Sequence, residues 1–313
     1  MANEVYASAQ GDTLATHVFI RELEYLLHQR PFMRALAAYK GDVAGSGTDT
    51  LKIGQVDLDD IAEAVAEGSA ITGNTAITDS SFTLAPSRQA IKRVLSNKLD
   101  IIDSSGLMNE QALALYNFSA VMKRFDAMFS TATASLTGTA GTSGADMTAD
   151  NFFTAQQTLR TRRVAGLLAF LGHPQQHNDL QSDLRGEVGP WQLRTDVQEQ
   201  VATASGENYI GTLNGVQMWV SDQVADANAG ADHGGAMFQI PAGVGGEAAI
   251  AYAEGSPKPF TMAGGRIVAP GGVVYTDFDI DIDKGDVQLV TNYFVAVGVA
   301  LAGRGIKVIT DHS

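Results

Sequence analysis

The chain has 313 residues, 45% of them apolar and 18% charged, with 33 glycines and no cysteine. This length and composition indicate one or two folded, loop-rich domains, and they exclude disulfides, thiolate metal sites and a cysteine nucleophile. The formal charge of −14, from 35 acidic and 21 basic side chains, argues against a protein that binds nucleic acid by neutralising its phosphates.

The first residues, up to Thr13, contain neither a basic region nor an apolar run, so we predict synthesis in a cytoplasm without a secretory signal. An amphipathic helix is predicted over 13–29, because apolar residues recur there at steps of three and four. These residues are Leu14, Val18, Phe19, Leu23, Leu26 and Leu27. Pro31 ends the helix. A lone helix with one apolar face is unstable in water, so we expect it to dock on the body of the protein or on a neighbouring subunit.

A long two-stranded excursion is predicted after this helix. Alternating apolar and polar residues over 51–58 predict its first strand, and a slip in the alternation at Gly54 and Gln55 predicts a bulge or kink. Small, acidic and threonine-rich residues fill 59–79 before strand character resumes at Phe82. The chain is therefore predicted to extend away in one strand, turn and return in a second strand.

The longest predicted helix covers about 25 residues from Leu107 to Ala132. Its spacing of three and four predicts a core stripe of Leu115, Phe118, Met122, Phe125 and Phe129. A low-complexity run over 131–144 follows, and we expect a loop and a domain boundary there.

The next segment predicts a packed α+β domain. Thr148 is a predicted N-cap for a helix that ends near Arg163. A strand is expected over 166–171, and a further helix over 175–184 follows Pro174.

The segment YIGTL-NG-VQMWV predicts a β-hairpin with Asn214 and Gly215 in the turn, because both turn positions need positive φ. The glycine-rich stretches GADHGGAMF and GVGGEA lack the spacing of a phosphate-binding loop and are predicted to be loops. Strong alternation over 273–308 then predicts several antiparallel strands.

An acidic strand near the C-terminal end is the first candidate for chemistry. It contains Asp277, Asp279, Asp281, Asp283 and Asp286, alternating with apolar residues. A calcium loop would need a glycine at its sixth position and a terminal glutamate, and neither is present. Period-two alternation instead predicts a solvated face of a sheet, with calcium as the alternative.

The other candidates for chemistry are weaker. His173 and His177 are four residues apart, but Pro174 places His173 outside the helix, and no glutamate follows as in a zinc protease. Ser104, Ser105 and Ser221 have no nucleophile-elbow context. We therefore assign no catalytic, cofactor-binding or metal-binding residue and predict no cofactor and no enzyme activity.

The order of these elements resembles the Hong Kong 97-like shell fold of tailed double-stranded DNA bacteriophage capsid proteins, an α+β fold. Three stretches carry the resemblance: the helix 107–132, the run from LTGTAGTSG to NDLQSDL, and the hairpin YIGTLNGVQMWVSDQV followed by GGAMF.

The resemblance implies a division of the chain into four parts. Residues 1–43 would form an N-terminal arm and residues 44–100 an extended β-hairpin loop with its flanks. Residues 101–144 together with 273–313 would form a peripheral domain with the long spine helix. Residues 145–272 would form an axial domain.

The implied function is that of a major capsid protein. Such a protein self-assembles as a homo-oligomer, in pentamers and hexamers, into an icosahedral virion shell inside the host bacterial cytoplasm. The shell encloses the phage double-stranded DNA without specific binding, with no membrane, and with scaffolding, portal or decoration proteins as further partners. A polar hairpin of this length buries little surface on its own subunit, so we expect it to lie across a neighbour.

Three questions stay open at this stage. An encapsulin-like nanocompartment shell shares the fold and is the nearest alternative. A metal-dependent extracellular protein that uses the aspartate strand is a more distant one. Some shells of this type are cross-linked by a lysine–asparagine isopeptide bond, and Lys52 lies on the predicted loop, but no partner asparagine or catalytic acid is assigned.

Overall fold

The computed structural model describes residues 31–44, 48–56, 67, 79–96, 110–186, 208–242, 247–257, 260–261, 267–269, 273–281 and 286–311. The predicted helix over 13–29 lies outside these residues. The α-helices of the described residues are α1 (Glu110–Thr133), α2 (Ala149–Thr161) and α3 (Pro174–Gly186). Short 3-10 turns span Met33–Leu36, Asn228–Gly230 and Ala302–Arg304.

The strands of the described residues are β1 (Ala38–Asp42), β2 (Leu51–Val56), β3 (Asp79–Leu84), β4 (Ser87–Ser96), β5 (Thr139–Ala140), β6 (Leu168–Gly172), β7 (Tyr209–Leu213), β8 (Val216–Val220), β9 (Asp226–Ala227), β10 (Asp232–Gln239), β11 (Ile250–Glu254), β12 (Phe260–Thr261), β13 (Ile267–Ala269), β14 (Val274–Asp281), β15 (Asp286–Val299) and β16 (Gly305–Asp311). Most of them belong to two sheets, and β2–β3 and β12–β13 form separate pairs.

The five-stranded sheet is built around β15, which pairs antiparallel with β14 and with β4 over the same residues, and with β11 further along. Strand β1 joins β11 in parallel. Helix α1 packs on one face of this sheet, where Arg93 Nε donates a hydrogen bond to Asn117 Oδ1 at 2.8 Å. The predicted antiparallel C-terminal strands are confirmed.

Helix α1 confirms the predicted long helix, although residues 107–109 lie outside the described range. Met122, Phe125 and Phe129 are buried, as the predicted stripe requires. Phe118 is different, because 46% of its surface is exposed. Phe125 packs edge-on against Tyr252 at 5.3 Å between ring centroids, whereas Phe118, two turns earlier, extends beyond the core cluster of the described residues.

The seven-stranded sheet has the order β5-β16-β10-β6-β8-β7, with β9 paired to β10. Helices α2 and α3 pack on it through a core that includes Phe152, Leu159 and Leu180. A second core lies between this sheet and α1, where the rings of Phe129 and Phe238 are 5.6 Å apart. The sheet is therefore buried between two layers.

Local sequence signals are confirmed in this region. The Thr148 side chain accepts a hydrogen bond from the Asn151 amide at 3.2 Å, which is an N-cap. The predicted hairpin is β7–β8, with φ of 48° at Asn214 and 80° at Gly215. The predicted strand over 166–171 and helix over 175–184 correspond to β6 and α3.

One of the two glycine-rich stretches that were predicted to be loops is a strand. The stretch GADHGGAMF is largely strand β10, not a loop, and this strand has β16 on one side and β6 and β9 on the other. Its glycines are needed for close packing, because a Cβ on Gly234 would lie 2.5 Å from the Ala225 carbonyl oxygen. The other stretch, GVGGEA, lies mostly outside the described residues.

The sheets also cross the predicted domain boundaries. Strand β16 comes from the predicted peripheral range, yet it pairs with β10 in the seven-stranded sheet. Strand β11 comes from the predicted axial range, yet it pairs with β15 in the five-stranded sheet. Strand pairing therefore joins segments from both predicted ranges in each sheet.

Candidate assembly surfaces

The β2–β3 ribbon is the described part of the predicted two-stranded excursion. Its strands pair antiparallel in continuous register from Leu51↔Leu84 to Val56↔Asp79. The predicted bulge at Gly54 and Gln55 is therefore wrong. Gln55 continues the alternation on the side that faces the body, because its Nε2 donates a hydrogen bond to the Ala300 carbonyl oxygen at 3.1 Å.

The base of the ribbon packs on its own subunit. Leu51, Ile53 and Phe82 lie against a small core that includes the buried Leu84 and Ala296. The base of the excursion therefore has a core of its own on the same chain. The opposite side of the ribbon is exposed, and it includes Lys52, Ser81 and Thr83.

On the side away from α1, the β2–β3 ribbon covers the part of the five-stranded sheet around Ala296, and the part formed by β4 is an open face. Because Arg93 contacts α1, the residues that alternate with it along β4, namely Arg88, Ala90, Lys92 and Val94, lie on the opposite face. All four are exposed, and Val94 is 54% exposed. This open face therefore combines two cations with apolar surface.

Strands β14 and β15 lie next to this open face, and Asn292 on β15 is fully buried beside it. Arg88 Nε donates to Asn292 Oδ1 at 2.6 Å, and Asn292 Nδ2 donates to Asp277 Oδ2 at 3.3 Å. Desolvation raises the pKa of Asp277, and the charge of Arg88 opposes that rise. Next to this chain of contacts, Tyr275 and Phe294 stack with centroids 6.4 Å apart.

The aspartate strand is described only in part. Asp277 lies on β14 and takes part in the hydrogen bond to Asn292. The side chains of Asp279, Asp281 and Asp286, and the whole of Asp283, lie outside the described residues. Across the described part of the chain, no group of three or more His, Cys, Asp or Glu residues is arranged to hold a metal ion.

The two candidate histidines do not converge. His177 Nε2 lies 2.9 Å from the Trp219 carbonyl oxygen, and burial lowers the pKa of His177 to about 4. His173 instead stacks on His233, with ring centroids 3.6 Å apart. The separation of the two rings agrees with the sequence analysis, which places His173 outside the helix, and His173 Nδ1 accepts a hydrogen bond from the Gln175 amide at 3.3 Å.

The remaining candidates have structural surroundings. Ser221 is buried, and its Oγ accepts a hydrogen bond from the Gln223 amide at 3.0 Å, which closes a turn. Ser104 and Ser105 lie outside the described residues. Lys52 is exposed on β2. No helix within the described ranges is long and apolar enough to cross a membrane.

A junction that sequence reasoning missed joins the N-terminal segment to the body. The buried carboxylate of Asp126 on α1 accepts hydrogen bonds from the backbone amides of Phe32 at 3.1 Å and Met33 at 3.2 Å. Arg34 lies 2.7 Å from the carboxylate of Glu254. An available signal was the acidic residue within the apolar stripe of the predicted helix, immediately after Phe125.

Comparison with known proteins identifies the fold. No protein-family model and no curated protein matches the chain. Solved structures do match over nearly its whole length. The capsid of a native GTA particle aligns with a TM-score of 0.63 and 16% identity, covering 99% of this chain and 100% of that one. The capsid of Ralstonia phage GP4 aligns with a TM-score of 0.62 and 10% identity, covering 94% of both chains.

A shell of another kind is also similar. The SrpI encapsulin from Synechococcus elongatus PCC 7942 aligns with a TM-score of 0.57 and 11% identity, covering 89% of this chain and 87% of that one. The chain therefore has the Hong Kong 97-like α+β fold, as the sequence predicted.

Proposed function

We propose that this chain is a major capsid protein that assembles into an icosahedral shell around the double-stranded DNA of a tailed bacteriophage. The observation that supports this most directly is the end-to-end match to capsid subunits, which covers 99% of this chain in one case. A shared fold alone does not fix a function. The surfaces described above support the same role.

The charge distribution suits a container wall. The formal charge of −14 would repel a DNA backbone, so the wall would enclose DNA without gripping it. Within the described ranges, no group of three or more His, Cys, Asp or Glu side chains is arranged to hold a metal ion.

In contacts between copies, the excursion of one copy would lie against the open face of a neighbouring copy. The sequence over 57–79 contains acidic residues and no basic one. The open face of a neighbouring copy would present Arg88 and Lys92, which are exposed. Opposite charges on repeated surfaces would steer copies into one register.

Electron microscopy of the purified protein tests the proposal. We expect closed particles, or pentamers and hexamers in native mass measurements, on addition of helper proteins where these are needed. A protein that stays monomeric or dimeric under all assembly conditions would contradict the proposal.

A charge-reversal cycle tests the predicted contact. The variant K92E should reduce the yield of closed particles while the free subunit keeps its circular dichroism spectrum. The control R160E makes the same charge change on α2. Adding D60K to K92E should restore assembly. Equal assembly of all variants would show that this contact is absent.

The encapsulin match favours one second candidate, a nanocompartment shell. Such a shell would enclose a cargo protein instead of a genome. Particles isolated from the natural host separate the two functions, because a capsid would contain nuclease-protected double-stranded DNA and a nanocompartment would contain a copurifying enzyme.

For the domain organisation we propose that the two sheets define the domains. Helix α1 with β1, β4, β11, β14 and β15 would form the peripheral domain. Helices α2 and α3 with the seven-stranded sheet would form the axial domain. Limited proteolysis should cut between these sets of strands and not within either sheet.

A further inference from the structure

The β7–β8 turn carries a dipeptide that can change its own covalent structure. Asn214 and Gly215 form the one Asn-Gly pair in the sequence, and both residues are exposed to solvent. The backbone nitrogen of a residue that follows asparagine can attack the side-chain amide carbon, and glycine hinders this approach least because it has no side chain. Water and base reach the turn, so the reaction depends on whether the two atoms can meet.

The reaction replaces the Asn214 side-chain amide with a carboxylate. The Gly215 nitrogen gives up its proton and bonds to Asn214 Cγ, the bond between Cγ and Nδ2 breaks, and Nδ2 leaves with a proton as ammonia. Water then opens the resulting imide ring at either carbonyl carbon, which yields aspartate or isoaspartate. The chain gains a water and loses an ammonia, and no oxidant or reductant takes part.

The folded turn keeps the two reacting atoms apart. Positive φ at both central residues, 48° at Asn214 and 80° at Gly215, is typical of a type I′ turn. In such a turn the first central residue has a ψ of about +30°, which places the Gly215 nitrogen nearly opposite Asn214 Cβ across the Cα–C bond. Ring closure needs both atoms on the same side of that bond. The turn must therefore open before Asn214 can react.

A side chain of α2 holds this turn closed. Gln156 Nε2 donates a hydrogen bond to the Asn214 carbonyl oxygen at 2.8 Å, and Asn214 Nδ2 donates to Gln156 Oε1 at 2.7 Å. Gln156 is 7% exposed, so its amide is shielded from competing water. The Asn214 carbonyl oxygen and the Gly215 nitrogen belong to one planar peptide group. Gln156 therefore restrains both the group that would attack and the amide that would be attacked.

We propose that Asn214 is a site of spontaneous deamidation and that Gln156 protects it in the folded subunit. This goes beyond shell formation, because the turn and its clamp lie within a single chain. Opening the turn breaks both hydrogen bonds of the pair. Loss of two hydrogen bonds of ordinary strength should raise the rate of deamidation about tenfold.

The product cannot rebuild the same pair. With aspartate at position 214, the carboxylate and the backbone carbonyl both accept hydrogen bonds, whereas the Gln156 amide offers a donor on one side and an acceptor on the other. One of the two contacts then brings two oxygen atoms together. Deamidation should therefore weaken the attachment of the β7–β8 hairpin to α2.

Peptide mass spectrometry of the free subunit, incubated at mildly alkaline pH, measures the conversion of Asn214. The variant Q156A should convert about tenfold faster than the unmodified protein. The control Q157A makes the same change at the next residue of α2, which is exposed, and should convert at the unmodified rate. In urea that unfolds the chain, all three proteins should convert at one common, faster rate.

The urea dependence separates the clamp from a general loss of stability. Opening of the turn exposes little surface, so the rate for Q156A should stay constant at urea concentrations below the unfolding transition. A rate set by global unfolding would rise steeply there. If Q156A does not fold, Q156M provides the same test, because methionine fills the space without either hydrogen bond. Equal rates with and without Gln156, or a rate that follows global unfolding, would overturn the protective role.

Discussion

Replacing Gly235 with alanine should destabilise the subunit by about 3 kcal/mol. Gly235 faces the buried side chain of Gln176, and an added Cβ would lie against Gln176 Oε1 and 3.1 Å from the Leu171 carbonyl oxygen. Gln176 has no spare room, since its Nε2 donates to Thr310 Oγ1 at 2.8 Å and its Oε1 accepts from the His173 amide at 3.0 Å.

The magnitude combines three effects. Overpacking a dense core costs about 1–3 kcal/mol. A displaced Gln176 leaves a buried polar group without a partner, which costs about 1–3 kcal/mol. Alanine also reduces the conformational entropy of the unfolded chain relative to glycine, which stabilises the folded state by about 0.4–1 kcal/mol. The sum lies near 3 kcal/mol of free energy of unfolding.

Urea denaturation of the free subunit, followed by tryptophan fluorescence, measures the change. The matched control is Gly54→Ala, another strand glycine, whose added Cβ has open space within 4 Å. The control should be neutral or slightly stabilising. If the two variants unfold within about 0.5 kcal/mol of each other, the packing argument for β10 is wrong.

Three further changes test local features of the fold. Thr148→Ala removes the N-cap of α2 and should lower the free energy of unfolding by about 1 kcal/mol, as urea titration would show. Gly215→Val places a β-branched residue at a φ of 80° in the β7–β8 turn and should lower the melting temperature, whereas Gly215→Asn should be tolerated. His177→Gln should flatten the acid dependence of stability. Burial lowers the pKa of His177 to about 4, so the unfolded chain binds a proton at this residue more readily than the folded one. Protonation of the unfolded chain should therefore lower the free energy of unfolding as the pH falls from about 6.5 to 4, by about 3 kcal/mol in all. Urea midpoints at pH 5 and 7.5 check this, and an unchanged acid slope in the variant would refute it.

Elements with local signals were predictable from the sequence. The N-cap at Thr148 and the turn at Asn214 and Gly215 depend on residues close together in the chain, and the structure has both where predicted. The long helix follows from its three- and four-residue spacing for the same reason.

Features that depend on distant partners were not predictable in the same way. Strand β10 contains paired glycines that favour a loop, and they are explained by close contacts of Gly234 with Ala225 and of Gly235 with Gln176. The assignment of β16 to the seven-stranded sheet has no local signature. Asp126 was visible as an acid in an apolar stripe, but its partners are 93 and 94 residues away.

The strand order of the seven-stranded sheet determines when the sheet can be completed during synthesis of the chain. Strand β10 has β6 on one side, but its other side is completed by β16, at residues 305–311. A nascent chain that has not reached residue 305 would expose the β10 edge, and such an edge attracts other strands. A chain that ends before residue 305 should therefore aggregate through this edge instead of folding, and the seven-stranded sheet can be completed only at the end of translation.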